Sequence, residues 1–203
     1  DVAVKCKTGS KKDIEVFGKK IEKISDHIGH FLCVMIAPDD ISKLMESSEE
    51  RRSFINNTIV QSDKKYLEHL LQYTHLLKQR NALLKASLET KSFDYNLLEA
   101  VTNGMLLPAQ YIFEKRREQI LKITPLFNDF YAGICDGKEY CSISYESKLE
   151  KQDLKSIMTE NIEKDRILGR TSQGVHKDDL NFLINEEYLK NYASQGQLKS
   201  FII

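Results

Sequence analysis

The feature that most constrains the fold is an apolar stripe at helical spacing in "DKKYLEHLLQYTHLLKQRNALLKASL", residues 63–88. The stripe contains Tyr66, Leu67, Leu70, Leu71, Thr74, Leu77, Leu84 and Leu88. Basic residues are placed on the other faces: Lys64, Lys65, Lys78, Arg80 and Lys85. This spacing, sustained over many turns, predicts a long amphipathic helix.

A second helical tract is predicted from about Tyr95 to Phe130, with "FEKRREQILKI" as its clearest amphipathic stretch. Gly104 and Pro108 predict a break or kink inside this tract. Two long helices joined by a short loop predict an antiparallel pair. Another helix is predicted from Ser47, because a serine at a cap position is followed by glutamates and then by apolar residues at helical spacing.

Strand patterns flank this helical region on both sides. Val2, Val4 and Cys6 alternate before "TGSKKD", and Ile14, Val16 and Ile21 resume the alternation, which predicts a hairpin. "HFLCVMIAP", residues 30–38, is a short apolar run that predicts a buried strand.

The second strand region begins after Gly133. "KEYCSISYES" predicts a strand, a helix is predicted around Leu154 to Arg166, and "LNFLI" predicts another strand before a turn at "NEE". The predicted fold class is therefore mixed α/β (α+β), with a body of strands interrupted by a helical lobe. The boundaries are residues 1–46 for the first part of the body, 47–137 for the lobe and 138–203 for the return to the body.

Composition limits the possible environments and partners. The 203 residues contain 30 Lys and Arg and 30 Asp and Glu, so attraction to nucleic acid must come from local basic patches. Four cysteines without a CxxC pair favour reduced thiols in a cytoplasmic protein over a disulfide framework or zinc site. No apolar run approaches the roughly 20 residues that cross a bilayer, so we expect a soluble protein without a membrane partner.

A small polar loop, "ASQGQ" at residues 193–197, precedes apolar residues at helical spacing. Ser194 and Gln197 have the spacing of a capping box, in which each side chain bonds the other residue's backbone amide. The second interpretation is an anion site, typically for phosphate, because Gly196 allows close approach of a ligand to amides at the positive end of a helix dipole.

Three further groups of polar residues each have a structural and a functional interpretation. His176, Lys177, Asp178 and Asp179 form either a polar turn or a proton-transfer or hydrogen-bond network. Asp39 and Asp40 are either helix caps or groups near a metal ion. Six basic residues are either solvated helix faces or contacts to DNA phosphates: Arg51, Arg52, Lys64, Lys65, Arg116 and Arg117.

A complete phosphate-binding loop is missing from the sequence. "GICDGKEY" contains Gly133, Gly137 and Lys138, but its glycines are one residue too close and no Ser or Thr follows the lysine. No apolar run ends in paired acids as a Walker B strand does. We therefore expect the chain alone to be inactive in nucleotide hydrolysis.

Four blocks follow one another along the chain: "VMIAPDDISKLMESSEERRSFIN", "YLEHLLQYTHLLKQRNALLK", "GRTSQGVHKDDLNFLI" and "ASQGQLKS". Their order resembles the RecF family of bacterial replication and repair proteins. The family usually has Gly-Pro-His-Arg-Asp-Asp where this chain has Gly174 to Asp179. Lys177 in place of Arg keeps the charge but loses bidentate hydrogen bonding.

The resemblance implies an ABC-type, SMC-like ATPase head, interrupted by the helical lobe, that uses ATP and Mg²⁺ between two protomers. Ser194, Gln195, Gly196 and Gln197 would form the signature loop that acts on the partner's ATP, and Asp39 or Asp40 would lie in a metal-sensing loop. The family's phosphate loop would precede Asp1 and its Walker B segment would follow Ile203, so we expect a middle fragment with no cofactor bound to it alone.

The resemblance also implies partners. These are gapped or single-strand/double-strand junction DNA without sequence preference, RecO and RecR in the loading of RecA, and a second copy of the protein in the presence of ATP. Two alternatives to this function are a non-enzymatic helical protein-interaction module and the head of another SMC-like ATPase.

Overall fold

The structure is a computed structural model, which describes residues 2–5, 13–20, 23, 28, 29, 32, 40–90, 92–192 and 194–202. Its strands are β1 (Val2–Lys5), β2 (Asp13–Val16), β3 (Lys19–Lys20), β4 (Cys141–Glu146), β5 (Asp179–Ile184) and β6 (Glu187–Tyr188). Its helices are α1 (Asp40–Glu46), α2 (Ser48–Val60), α3 (Lys64–Thr90), α4 (Tyr95–Cys135), α5 (Leu154–Glu160), α6 (Ile162–Leu168), α7 (Leu189–Tyr192) and α8 (Gln195–Ile202). Short 3-10 turns lie at Lys148–Glu150 and Val175–Lys177.

The first sheet has the order β1-β2-β3, and its strands pair antiparallel. Val2 is opposite Val16, which confirms the predicted hairpin. Phe17 and Gly18 connect β2 to β3 with positive φ angles of 49° and 75°. Most of the strand predicted at residues 30–38 lies outside the described residues.

The α2 helix begins where the sequence predicted it. The Ser47 hydroxyl accepts a hydrogen bond from the Glu50 amide at 3.4 Å, which confirms the cap. Glu49 and Glu50 add negative charge to the first turn, where it interacts favourably with the positive end of the helix dipole.

The α3 and α4 helices form the predicted antiparallel pair. Arg80 on α3 bonds Thr102 near the start of α4, whereas Tyr66 near the start of α3 bonds Arg116 further along α4. The approach is close at Gly104, where an added Cβ would lie 3.3 Å from a methyl group of Leu76.

The α4 helix runs without interruption through Pro108 and Pro125, so the first alternative at Gly104 and Pro108, a break, was wrong, while the second, a kink, stays a prediction. Pro108 has no amide hydrogen and leaves the carbonyl of residue 104 without its usual donor. The helix nevertheless continues because Pro108 and its neighbours Met105, Ala109 and Ile112 are buried in the core. Apolar burial on this scale outweighs one missing hydrogen bond.

The second sheet has the order β4-β5-β6 and is antiparallel, with Cys141 opposite Ile184. This register confirms the two predicted strands. The predicted turn at "NEE" is a two-residue connection, in which Asn185 and Glu186 have positive φ angles of 50° and 68°. Positive φ at both central residues matches the right-handed twist of a hairpin.

The single helix predicted from Leu154 to Arg166 is instead two short helices. Asn161 separates them, with φ of −99° and ψ of 7°, and its side-chain amide donates to the Ile157 carbonyl at 2.8 Å. An asparagine that bonds the preceding turn competes with the regular helical bonds, which accounts for the interruption.

Among the residues that the structure describes, apolar side chains form two buried clusters. The larger cluster lies between α2, α3, α4, α5 and β5, so the helical tracts and the returning strands share one core. The smaller cluster contains Tyr131, Cys141, Phe182, Ile184, Leu189 and Phe201. The predicted mixed α/β class is confirmed, while the boundaries at 46/47 and 137/138 stay predictions. Among the described residues, no helix combines the length and apolar character needed to span a membrane.

Candidate functional site

The first turn of α8 has the capping geometry that the sequence predicted. The Gln197 amide donates to the Ser194 hydroxyl oxygen at 3.2 Å, and the Ser194 amide donates to the Gln197 side-chain oxygen at 2.8 Å. The Leu198 amide donates to the Ser194 carbonyl at 3.0 Å, so Ser194 is the N-cap residue. The capping interpretation is confirmed.

Gly196 is exposed and follows the first residue of α8, Gln195. A Cβ at Gly196 would meet only the Ser194 hydroxyl oxygen, at 3.9 Å, so packing among the described residues does not require a glycine. The capping box uses the amide of Gln197, whereas the amides of Gln195 and Gly196 have no acceptor in the helix by virtue of their position. These groups offer an anion an uncovered patch of backbone.

The α8 helix is held against the end of α4 at two points. The ring of Phe201 packs on Phe127 and Tyr131, with centroid distances of 4.6 Å and 6.3 Å. One turn earlier, the Gln197 side-chain nitrogen donates to a Glu139 carboxylate oxygen at 2.6 Å. The Tyr131 hydroxyl donates to the other oxygen of Glu139 at 2.7 Å.

The segment that begins at Gly174 enters the core and does not remain a surface turn. Gly174 has φ of 125°, and an added Cβ would lie 2.7 Å from the Tyr73 hydroxyl oxygen. Tyr73 in turn bonds His176 Nδ1 at 2.8 Å, while His176 Nε2 bonds the Thr171 carbonyl at 3.2 Å. A carbonyl only accepts, so Nε2 carries the proton and Nδ1 accepts from Tyr73.

Burial lowers the pKa of His176 to about 4 and keeps the imidazole neutral near pH 7. Burial also raises the pKa of Tyr73 well above its ordinary value. The pair is therefore a neutral hydrogen-bonded link between α3 and the 3-10 turn at Val175–Lys177. His176 therefore takes part in a hydrogen-bond network, as the second of the two interpretations of this segment proposed, and is not merely part of a polar turn.

Asp178 belongs to a buried group that we call the Arg116 network: Arg116, Asn56, Tyr66, Tyr145 and Asp178. Arg116 contacts Asp178 at 3.2 Å and donates to the Asn56 side-chain oxygen at 3.0 Å, and the Tyr145 hydroxyl donates to Asp178. Arg116 also donates to the Val175 carbonyl at 2.8 Å. Burial raises the pKa of Asp178, and the hydrogen bond from Tyr145 and the charge of Arg116 oppose that rise.

This burial changes the role of one predicted DNA contact. Arg116 is 2% exposed, and its donors bind internal acceptors. A guanidinium in this position has no surface from which to bind a phosphate. The structure assigns Arg116 a structural role in place of the predicted DNA contact.

Two neighbouring arginines join the start of α2 to β5. Arg51 forms a bidentate pair with Asp179, with both nitrogen–oxygen distances at 2.8 Å, and also donates to the Leu44 carbonyl. Burial alone would raise the pKa of Asp179, but the hydrogen bonds from Arg51 and the Leu180 amide, together with the charges of Arg51 and Arg52, outweigh burial, and the pKa is lowered. Arg52 donates to the Asp178 carbonyl at 2.8 Å. Both arginines therefore have internal partners and are partly buried.

The other predicted DNA contacts lie at the surface. Lys64 and Lys65 are exposed in the first turn of α3, where the Lys65 ammonium lies 5.0 Å from the centroid of the Tyr111 ring. Arg117 has a half-exposed side chain that stacks over Phe113 at 5.2 Å. Because α3 and α4 are antiparallel, these three basic residues share one end of the helix pair. Lys177 is also exposed.

The sequence patterns did not reveal a second buried ion pair. Arg80 was placed on a solvent face, but it is 1% exposed and contacts Asp165 at 2.7 Å. It also donates to Thr171 at 2.7 Å and to Thr102 at 3.1 Å. The spacing could have indicated that Arg80 is buried. Tyr66, Tyr73 and Arg80 are spaced seven residues apart and therefore share one face of the helix.

Two acidic residues were assigned either to helix caps or to a metal-sensing loop. Asp39 lies outside the described residues, and Asp40 is the first residue of α1. Within the described ranges, no group of three or more His, Cys, Asp or Glu side chains could hold a metal ion.

Comparisons with known proteins agree with each other. A protein of Cytophaga hutchinsonii is 40% identical over 195 residues, which cover 96% of this chain and 52% of that protein. A protein of Flavobacterium johnsoniae is 41% identical over 202 residues, which cover 100% of this chain and 56% of that protein. Both are named DNA replication and repair protein RecF. No model of a protein family matches the chain.

Two solved structures share the fold. They are described as the recombination mediator protein RecF-ATP and RecF-ATPrS in the RecFOR pathway. Their TM-scores are 0.89 and 0.88, with 28% and 27% sequence identity, and each match covers 98% of this chain and 56% of the solved chain. The chain thus spans about half the length of the relatives and solved structures that it matches.

Proposed function

The chain belongs to the RecF family, and from this premise we propose that it forms part of an ATP-binding protein of DNA replication and repair. In this proposal Ser194, Gln195, Gly196 and Gln197 are the signature loop, which acts on ATP held by a second subunit. The observation that carries the proposal is the capped α8 turn with an exposed glycine that its own packing does not require. The cap gives this turn a defined shape, and the glycine leaves room for another molecule.

The residues of the loop suit a phosphate group. The Ser194 oxygen accepts from the Gln197 amide, which leaves the hydroxyl proton of Ser194 available to a phosphate oxygen. The amides of Gln195 and Gly196 and the helix dipole favour negative charge at the same end. ATP with Mg²⁺ would supply the anionic terminal phosphate and the reacting bond, and Asp39 or Asp40 would belong to a loop that senses the metal.

The chain contains one half of such a site. It has no phosphate-binding loop of the Walker A type and no Walker B segment, so we expect no ATP hydrolysis by this chain alone. In the complete protein, ATP would join two copies, with the signature loop of one copy facing the nucleotide of the other. Cytoplasmic location, action with RecO and RecR, and assistance to RecA loading are further parts of the proposal.

DNA binding is proposed for the basic end of the helix pair. Lys64 and Lys65 are exposed there, and Arg117 is half-exposed with a surface ion pair to Glu150 at 3.9 Å. By contrast, internal partners hold Arg51, Arg52 and Arg116. Lysine and arginine contacts to phosphates do not distinguish sequences, which suits gapped or junction DNA. The same contacts make the affinity depend strongly on salt.

The signature assignment is tested by Ser194→Arg in the complete protein. An arginine at the cap position removes the hydroxyl and places a bulky side chain where the second subunit would approach, so ATP-dependent dimerisation and turnover are expected to be lost. Thr90→Arg, at an exposed position at the end of α3, is the control for added charge and size. Dimerisation and turnover that survive Ser194→Arg would disprove the assignment.

The DNA proposal is tested by titrating gapped DNA at several salt concentrations. We expect the double variant Lys64→Ala, Lys65→Ala to lower the slope of log affinity against log salt by about two, roughly one for each phosphate that is no longer neutralised. Lys85→Ala, an exposed lysine near the other end of α3, should leave the slope unchanged. Equal slopes for the double variant and the wild type would show that DNA binds to a different surface of the protein.

A further inference from the structure

Glu139 is in the connection between α4 and β4, which is fixed at both ends. At its start, Asp136 caps α4 in the left-handed conformation with φ of 53°, and Gly137 follows with φ of 69°. At its end, Tyr140 and Asn185 exchange two hydrogen bonds at 2.9 Å and 2.7 Å. Glu139 therefore projects from a defined backbone position.

The carboxylate of Glu139 links α4 to the capping box. One oxygen accepts from the Tyr131 hydroxyl at 2.7 Å and the other accepts from the Gln197 side-chain nitrogen at 2.6 Å. The oxygen of the same Gln197 amide accepts from the Ser194 backbone amide at 2.8 Å. A continuous chain of hydrogen bonds thus runs from Tyr131 to Ser194.

The Glu139 side chain determines which way the Gln197 amide points. A carboxylate only accepts, so the nitrogen of Gln197 must face Glu139 and the oxygen must face the Ser194 amide. Without Glu139, the amide of Gln197 can turn over and present its nitrogen to Ser194, where no bond forms. The capping box therefore depends on a residue 58 positions earlier in the chain.

Aromatic packing reinforces the same connection. Gln197 and Phe201 are four residues apart and share a face of α8. Phe201 packs on Tyr131 at a centroid distance of 6.3 Å, and Tyr131 is also the hydroxyl donor to Glu139. Tyr131 consequently supports both attachment points of α8.

We propose that Glu139 is a positioning residue for the loop Ser194–Gln197. It orients the Gln197 amide and couples the first turn of α8 to the end of the long α4 helix. The proposal rests on the proposed function, because it assigns Glu139 an effect on ATP-dependent dimerisation through the signature loop. A rearrangement at the end of α4 would reach the loop through this carboxylate.

The experiment compares Glu139→Ala, Glu139→Gln and Asp136→Asn in the complete protein. Asp136→Asn removes the same charge three residues away from an exposed side chain, and asparagine tolerates the left-handed conformation at that position. The measurements are ATP affinity of the monomer, ATP-dependent dimerisation, and hydrogen exchange of the amides at residues 194–198. Ser194→Arg serves as the test of the loop itself.

We expect Glu139→Ala to weaken dimerisation about tenfold, as the loss of a charge-assisted hydrogen bond does, and Glu139→Gln to weaken it about threefold. Both should speed exchange at residues 194–198 and leave the monomer's ATP affinity unchanged. Asp136→Asn should match the wild type in all three measurements. A residue that only stabilises the fold would not produce this separation between dimerisation and nucleotide affinity.

Two other outcomes can be told apart. If Ser194→Arg abolishes dimerisation while both Glu139 variants match Asp136→Asn, the role of Glu139 is overturned and the signature assignment stands. If Ser194→Arg has no effect, the proposed function itself fails. Should Glu139→Ala not fold, the comparison of Glu139→Gln with Asp136→Asn decides the question.

Discussion

The Arg116 network and the loop Ser194–Gln197 place polar groups in opposite surroundings. In the network, Arg116 and Asp178 are 2% and 4% exposed, and their polar atoms bind internal partners. In the loop, Ser194 and Gly196 are exposed, and one turn of helix presents backbone amides to the outside. The network joins α2, α3 and α4 to strand β4 and to the residue before β5. The loop instead has backbone amides that no acceptor in its own helix uses. A high density of charge is therefore a poor guide to function in this chain.

The largest expected effect is that of Arg116→Leu. The change leaves Asp178 buried without its cation, and loss of one partner of a buried pair typically costs about 3–5 kcal/mol. Urea unfolding measures the loss. Arg117→Leu, at the neighbouring half-exposed position, should cost less than about 1 kcal/mol.

A double variant sharpens this prediction. Arg116→Leu combined with Asp178→Asn removes both charges and should recover part of the lost stability. If the double variant is less stable than Arg116→Leu alone, the destabilisation does not come from an unpaired carboxylate. The contrast between Arg116, assigned a structural role, and Arg117, proposed to contact DNA, would then need another explanation.

The next effect is a dependence of stability on pH. An unfolded histidine binds a proton near pH 6.5, whereas folded His176 binds one only near pH 4, so protonation favours the unfolded chain. This contribution is absent above pH 6.5 and destabilises the fold progressively as the pH falls from 6.5 to 4, by up to about 3 kcal/mol below that window.

His176→Gln removes this titration while it retains polar groups near Tyr73. The difference in unfolding free energy between wild type and variant should change with pH in the window from 6.5 to 4 and be constant above it. A constant difference across the whole range would mean that His176 titrates normally in the folded protein. Chemical denaturation at several pH values provides the measurement.

The same substitution at two glycines tests the comparison directly. Gly174→Ala is expected to cost about 2 kcal/mol or more, because φ of 125° excludes other residues and the new Cβ would lie 2.7 Å from Tyr73. Gly196→Ala should leave stability unchanged or raise it by a few tenths of a kcal/mol, since alanine favours helices. In the proposed function, Gly196→Ala nevertheless weakens ATP-dependent dimerisation. Equal stability losses at the two glycines would remove the distinction between the regions.

The smallest expected effect is that of Ser194→Ala. Loss of a serine N-cap costs about 1 kcal/mol and should be felt locally, as faster hydrogen exchange at the Gln197 amide. Ser53→Ala, at an exposed position inside α2, provides the control and should leave the hydrogen exchange rate of the Gln197 amide unchanged. Unchanged protection in Ser194→Ala would show that the cap contributes nothing to the turn.

Local patterns were sufficient to predict much of the fold. The stripe from Tyr66 to Leu88 predicted α3, Ser47 predicted the start of α2, and the spacing of Ser194 and Gln197 predicted the capping box. Each depends on residues within a few positions of one another. One error came where packing outweighed the local signal, at Pro108, which the core holds inside a continuous helix. The other was local, because the side chain of Asn161 bonds the preceding turn and interrupts the predicted helix.

Residue patterns alone were enough for most of the helices, for strands β1, β2, β4 and β5, for the capped loop and for the resemblance to the RecF family. They did not predict the two-residue strands β3 and β6. Tertiary packing was needed to show that Arg116 is buried while Arg117 is half-exposed, and that Glu139 reaches Gln197. Adjacent positions on a helix differ by about 100° in direction, so which one is buried depends on the element that packs there. That element, the antiparallel pair of strands β4 and β5, comes from a distant part of the chain, and no local pattern around residue 116 encodes its approach.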